Sequence, residues 1–381
     1  MNYKYLVIPS PILTYPYYYR AFPHFNFFFN NIVKLFNFKP SWAKLILNGE
    51  MNYYGSLFNI LKKDELNVLG DIHDIYFSNN IKKYKNIADI ERYYFTLGFK
   101  KPKIVDKDYV YKNILNYDCL LVSVMSFKKY FKIIKEFKKK KKLVAILDYR
   151  DDHDVIFNKT KNLSRNISSK YFDIYFKQDL PIENKSKKFF PLAPVPTENF
   201  KIKNKNFKPL FNFSFFGAQK KWTNDGRRVI CEFIDKNFTN NQINLQSVVN
   251  KKISKKNMEK ILYKSRINLS PHGISWNSNR HAELAKFHRP ILMPKPTLKI
   301  IGKNFVNNKN CFIYDDFLLK KNCKYRKKML NKLNLILNDE PLLKKVSREY
   351  VLTVNKFHTR DARAKQILTI LNKKIFDKNL I

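Results

Sequence analysis

Short apolar runs alternate along this chain with segments whose apolar residues recur every three or four positions. YKYLVIPS (3–10), ELNVLGDI (65–72), YDCLLVSVMS (117–126) and KLVAILDYR (142–150) have the length and composition of buried strands. Between the last two, SFKKYFKIIKEFKKKKK (126–142) places its apolar residues at helical spacing under a lysine-rich outer face, and YKNILN (111–116) also reads as helical. FDIYFKQDL (172–180) and KKFFPLAPVP (187–196) predict two further short strands. Strands separated by helices argue for a mostly parallel sheet with helices on both faces.

Residues 197–210, TENFKIKNKNFKPL, are polar, basic and without period, as a linker is. The alternation then restarts. FNFSFFGA, QINLQSVV, RINLSPHG, RPILMP and NCFIYDD read as strands, and GRRVICEFIDKNF, NMEKILYKS and SNRHAELAKF as helices. A largely helical stretch runs from about Lys320 to Lys374. The expected organisation is α/β: two Rossmann-like domains facing a central cleft, with a C-terminal helix that can cross back to the first domain. The boundaries are 1–198, a linker over 199–210, 211–355, and a terminal helix over 356–381.

At 381 residues the chain can bury two cores, and 44% hydrophobic residues argue against disorder throughout. A formal net charge of +43 points first to nucleic acid or an anionic membrane surface. Lysine, asparagine, isoleucine, phenylalanine and tyrosine, all abundant here, share A/T-rich codons, so base composition accounts for most of that excess. Where lysine is the default cation, an arginine marks a position suited to a forked, planar donor. Arg227, Arg228, Arg266, Arg280, Arg289 and Arg363 all lie in the second half. With eight glycines in all, Gly217 and Gly273 are expected where positive φ or close backbone approach is needed.

Cys119, Cys231, Cys311 and Cys323 are scattered without CxxC or metal-ligand spacing, and are expected to be reduced thiols. No signal peptide is visible in MNYKYLVIPSP. YPYYYRAFPHFNFFFNNIVKLFNF is aromatic, but prolines, Arg20, His24 and Lys34 interrupt it before the roughly 20 apolar residues of a membrane span. The expected location is cytoplasmic, with peripheral contact at the inner membrane face open to it.

The strongest candidate chemistry lies in INLSPHGISWNSNRHAELAKFHRPILMP (267–294), a strand, a glycine corner and a helix. In open α/β sheets ligands bind beyond the carboxyl ends of strands, and a helix start there suits an anion. Asn277, Ser278 or Asn279 can cap the helix. Arg280 in its first turn can grip a diphosphate. Glu283, three residues on, shares its face and can accept from ribose hydroxyls. FFGAQKKWTNDGRR (215–228) repeats the theme, with a strand ending at Gly217 and Arg227 and Arg228 opening the next helix; it is not GxGxxG. An ordinary capped helix with a local Arg/Glu pair remains the plain alternative. DYRDDHD (148–154) follows a clear strand and can supply a general base, a divalent-ion site or only a capping loop. His24, His73 and Asp179 are weaker lining candidates. GxSxG and GxxxxGK[ST] are both absent, which disfavours α/β-hydrolases and P-loop NTPases.

SRINLSPHGISWNSNRHAELAKFHRPIL resembles the donor-site segment of GT-B glycosyltransferases, especially their group-1 and exostosin-like branches. KFHTRDARAKQILTIL (356–371) is similar to the close of spore-maturation-type bacterial glycosyltransferases, and FFGA…GRR to the start of their C-terminal domain. The resemblance spans roughly residues 140–371. It implies that Glu283 binds the nucleotide ribose and Arg280 the diphosphate. Gly217 and Gly273 would admit the donor, with Arg227 and Ser278 also lining its site. His288 stands where such enzymes often have glycine, and Asn279 where the paired-glutamate form of the motif has its other acid.

The implied reaction is metal-independent hexosyl or related transfer from a nucleotide-diphosphate sugar to a glycan or lipid-linked acceptor; if it inverts, Asp151 or Asp152 would take the acceptor proton. No tightly bound cofactor and no resident metal are expected. Implied partners are the nucleotide sugar, the acceptor and an anionic membrane surface, without specific nucleic acid. Two alternatives stay open: a basic nucleic-acid-binding protein, and a metal-dependent transferase using the Asp148–Asp154 cluster.

Overall fold

A computed structural model describes residues 2–9, 49–70, 99–149, 167–192, 208–218, 225–246, 253–273, 278, 280–300, 302 and 305–379. Its first half builds a seven-stranded sheet from β1 (Tyr5–Ile8), β2 (Leu66–Leu69), β3 (Lys103–Val105), β4 (Cys119–Ser123), β5 (Leu143–Asp148), β6 (Ile174–Lys177) and β7 (Phe189–Pro191). The spatial order is β3-β2-β1-β4-β5-β6-β7 and every pairing is parallel. β1, β4, β5 and β6 are buried at every residue, which is why they read as apolar runs. Alternate side chains feed two cores: Tyr5 and Val7 on one face, Leu6 and Ile8 on the other. Helices α1 (Gly49–Ile60), α2 (Lys107–Lys112) and α3 (Phe131–Lys139) accompany the sheet. On α3, Ile133, Ile134 and Phe137 face the core and Lys132, Lys135 and Lys139 are exposed, as the spacing predicts.

The second half repeats the plan with β8 (Phe211–Ala218), α4 (Gly226–Asn237), β9 (Gln242–Gln246), α5 (Lys255–Tyr263), β10 (Ser265–Leu269), α6 (Arg280–Glu283), β11 (Ile291–Pro294) and β12 (Phe312–Tyr314). The order β12-β11-β10-β8-β9 is again wholly parallel. Strand β8 therefore lies between β9, which follows it, and β10, from which the chain winds the other way. A crevice opens at such a reversal, at the carboxyl ends of the strands. Gly217 near the end of β8 and residues 270–273 after β10 stand at these carboxyl ends.

Helices α7 (Asp316–Lys321), α8 (Cys323–Asn338), α9 (Glu340–Phe357) and α10 (Arg360–Asn379) complete the chain. Leu343, Val346, Val351 and Val354 of α9 belong to the cores of the second sheet. In contrast, Ala364, Ile367, Leu368, Leu371 and Ile375 of α10 pack with Tyr5, Val7 and Leu57 of the first. The terminal helix thus crosses back to the first sheet. At the corner, fully buried Arg363 donates to His358 Nδ1 (2.8 Å) and Gln366 Oε1 (2.9 Å), and the His358 ring stacks on Phe305 at 4.9 Å. The two halves also meet where Lys299 N donates to Leu180 O (2.8 Å) beside the Pro181–Leu298 bridge.

Three sequence expectations are refined. β3 escapes the hydrophobic pattern because it is an edge strand with one exposed and one half-buried residue in three. The helix expected over 111–116 lies mainly over Lys107–Lys112, capped by the Asp106 carboxylate, with a 3-10 turn at Ile114–Asn116 behind it. The helix expected over 278–287 is one α turn followed by a 3-10 turn, Leu284–Phe287, ended by His288 in the left-handed region (φ 52°) two residues before Pro290. All four cysteines are free thiols; Cys119, Cys231 and Cys311 are buried and Cys323 is exposed. Among the described residues no helix is long and apolar enough to cross a membrane.

Candidate functional site

The reversal point of the second sheet gathers Phe215, Gly217, Arg227, His272, Arg280 and Glu283. Phe215, near the end of β8, is buried, and two guanidinium groups stand over its ring: Arg280 at 4.8 Å from the ring centre and Arg227 at 5.8 Å. Gly217 gives this ring its room. A Cβ there would come within 2.6 Å of Phe215 Cζ and 3.4 Å of Arg280 Nη1. The glycine is thus needed for close approach, one of the two reasons expected from sequence. Gly273 follows His272, half-buried, at the carboxyl end of β10.

Arg227 is held by its Nε donating to the carbonyl of His272 (2.9 Å). Burial pushes its guanidinium below the ordinary arginine value, and proximity to Cys231 and Tyr314 offsets part of that. Arg228, its neighbour, points outward into an exposed pair with Glu232 (3.6 Å) and is not part of the cluster. Burial raises the Cys231 thiol to about 12, against the pull of both Arg227 and Arg280, which marks it as packing rather than nucleophile.

Arg280 and Glu283 share the face of α6, and both line a small cleft with Phe216, Met258, Leu262 and Phe287. Burial raises the Glu283 carboxyl above the ordinary value, while Arg280 and Lys286 draw it partway back. Lys286 is itself tied to Glu259 (2.8 Å). A carboxylate raised in this way gains from a ligand that donates hydrogen bonds to it. The opposite face of α6 anchors the turn: His281 Nδ1 shares a hydrogen bond with Ser270 Oγ (2.7 Å), and Tyr350 OH donates to the His281 carbonyl (2.7 Å). Of the three candidate caps, Ser278 accepts from Arg280 N (3.3 Å); Asn277 and Asn279 lie outside the described residues. Because α6 is a single turn, its dipole is small, and the side chains carry the attraction for an anion.

Sequence reasoning did not single out His272 and Asp316. His272 is buried, 6% exposed, and its Nε2 meets Asp316 Oδ2 at 2.5 Å. Its Nδ1 and the other Asp316 oxygen are buried without a hydrogen-bond partner. Tyr314 sits beside them, its phenol raised well above its ordinary value by burial and then by Asp316. No spacing rule links His272 to Asp316; the pairing of β10 through β11 to β12 brings them together.

In the first half, Asp148 ends β5 opposite Lys177 at the end of β6. Its Oδ2 accepts from Tyr175 OH (2.7 Å) and pairs with Lys177 Nζ (3.5 Å); all three residues are 1% exposed or less. Asp148 is therefore enclosed in a charge pair. Asp179 is buried close by. Asp151, Asp152, His153 and Asp154, together with His24 and His73, lie outside the described residues.

No family model and no curated protein matches the chain. Among solved structures, a glycosyltransferase from Rickettsia africae is similar with a TM-score of 0.50 at 11% identity, covering 99% of this chain and 99% of its own. Anabaena HepE in complex with UDP gives a TM-score of 0.47 at 8% identity, over 97% of this chain and 100% of that one. The lipopolysaccharide outer core galactosyltransferase WaaB in its apo form gives 0.46 at 11% identity, over 97% and 99%. The likeness is one of fold, and the fold is that of the GT-B glycosyltransferases, two Rossmann-like α/β units.

Proposed function

We propose that this chain is a glycosyltransferase that moves a sugar from a nucleotide-diphosphate donor to a glycan or lipid-linked acceptor. The observation that carries this reading is the grouping of Arg227, Arg280 and Glu283 at the reversal point of the second sheet: Arg280 and the raised Glu283 carboxyl line one cleft, and Arg227 shares the Phe215 ring with Arg280. Arg280 and Arg227 would neutralise the diphosphate and Glu283 would accept from the ribose. Gly217, Gly273 and Ser278 would complete the donor site. The units divide as 1–198 for the acceptor and 211–355 for the donor, with 199–210 between them and 356–381 returning to the first.

In the reaction, an acceptor hydroxyl oxygen bonds to the anomeric carbon as the carbon–oxygen bond to the diphosphate breaks. The nucleoside diphosphate leaves with the electron pair. The acceptor proton passes to a carboxylate of the first unit, for which Asp151 and Asp152 are the candidates. Fixed guanidinium groups need no rearrangement as leaving-group charge develops, which is the efficient form of electrostatic catalysis. On this reading transfer is hexosyl or related and needs no divalent ion. The acceptor would be a bacterial cell-surface polysaccharide precursor met at the cytoplasmic face of the membrane. The exposed lysines of α3 suit that anionic surface.

A thermal-shift panel of nucleoside diphosphates and their sugars tests the reading, since a ligand of the folded state raises the melting temperature by mass action. One nucleotide series should stabilise the chain with EDTA present. A panel without any stabilising nucleotide would remove the proposal.

A further inference from the structure

The donor reading uses Arg227, Arg280 and Glu283 but gives no task to His272 or Asp316. These two form a dyad with a buried imidazole beside Arg227, at the same end of the second sheet. Asp316, the first residue of α7, meets Nε2 of His272, while Nδ1 is enclosed and unsatisfied. Histidines retained for packing have their ring nitrogens satisfied, because an unmade hydrogen bond out of water is costly. The His272 carbonyl accepts from Arg227, so the backbone that carries the imidazole is tied to a guanidinium already assigned to the anion. Arg227 in turn shares the Phe215 ring with Arg280. The dyad is thus built into the cationic cluster.

We propose that His272 is a further ligand of the donor's phosphates, and that Asp316 is the positioning residue that orients it. The Asp316 carboxylate accepts from Nε2–H, and Nδ1 takes up a proton that arrives with the phosphate. Nδ1–H is then the donor offered to a phosphate oxygen. The anion would meet three nitrogen donors, Arg227, Arg280 and His272, where the donor reading alone supplies two. This inference rests on the donor reading and adds to it the residues that discriminate a phosphorylated ligand from a bare nucleoside.

The test is calorimetric titration of the full chain with UDP, GDP, ADP, CDP and dTDP, and with the nucleoside matching whichever binds. His272→Gln, which keeps an amide to face Asp316, should weaken diphosphate binding about tenfold or more while leaving the nucleoside affinity unchanged. Asp316→Asn should cause a smaller loss, and the double variant should lose no more than His272→Gln alone, because Asp316 acts through the ring. His272→Asn serves if the glutamine variant does not fold. A histidine kept only for packing would instead lower the melting temperature and leave the folded protein's diphosphate affinity intact, which would overturn the inference. Additive losses from the two single variants would overturn the role of Asp316. A wild-type chain that binds none of the five would bring down the donor reading itself, a separate outcome.

Discussion

Arg280 lies over the face of Phe215, its guanidinium carbon 4.8 Å from the ring centre, and the missing side chain of Gly217 leaves that arrangement its space. A cation on a buried aromatic face gains about 0.5–2 kcal/mol and, as important here, one orientation. Gly217→Ala would drive a methyl group into a ring that is 1% exposed and cannot swing away. The expected result is a stability loss of about 1–3 kcal/mol from overpacking and weaker donor binding, because the displaced ring carries Arg280 with it. Denaturant unfolding together with nucleotide titration checks both. An alanine variant with wild-type stability and affinity would show that Phe215 does not fix Arg280.

Glu283 yields a prediction in which stability and binding move in opposite directions. Burial raises its carboxyl in the folded chain, so the folded state binds more protons than the unfolded state between the ordinary carboxylate value and the raised one. Its contribution is therefore most favourable in acid and declines as pH rises through that window. Glu283→Gln removes the penalty, so the unliganded variant should melt higher than wild type above the window and no higher below it. The same change should weaken nucleotide binding by about tenfold or more, through loss of a charged acceptor for ribose. Melting curves at several pH values with and without nucleotide separate the effects. A variant that melts lower at neutral pH and binds normally would assign Glu283 to structure.

The reach of the sequence pattern follows from the same physics. Strands such as Leu143–Asp148 are buried on both faces, so their apolar runs are continuous and easily read. Arg280 and Glu283 are local in sequence, and helical spacing was enough to place them on one face; Arg227 was legible as a helix opener. The Phe215 platform was not, because a strand phenylalanine looks the same whether it supports a guanidinium or only packs. His272 and Asp316 depend on strand order, which periodicity does not encode. The break of the expected helix into one α turn and a 3-10 turn, stopped by His288 at positive φ, leaves no mark in the apolar spacing.

Helix α10 supplies a prediction about the joint between the halves. Ile367 and Leu371 are fully buried against the first sheet's core, although their chain segment follows the second sheet. Ile367→Ala should cost about 2–5 kcal/mol, the range for truncating a buried aliphatic side chain. Hydrogen exchange should locate the loosening in β1, β5 and α1 and spare the strands of the second sheet. Equal loosening of both sheets would mean that the halves unfold as one cooperative unit.

Asp173 fastens the far end of α10, and pH should reveal it. Burial alone would raise this carboxyl, but hydrogen bonds from Lys138 Nζ (2.6 Å) and Val144 N (2.9 Å), with Lys378 Nζ at 3.5 Å, hold it below the ordinary carboxylate value. Lys378 reaches across from α10 and also donates to the Lys142 carbonyl (3.1 Å), so one acid joins α3, β5 and the terminal helix. A carboxyl lowered on folding adds stability that is fully present above its unfolded value and is lost as pH falls through the folded one. Asp173→Asn keeps the shape and removes the charge. At neutral pH it should cost roughly 1–3 kcal/mol, the scale of a charge-assisted hydrogen bond that is not fully exposed. The deficit should shrink as wild type itself becomes protonated in acid, until the two unfolding curves converge. Denaturant titrations at neutral and acid pH measure the difference, and a deficit independent of pH would show that geometry at residue 173, not its charge, secures the helix.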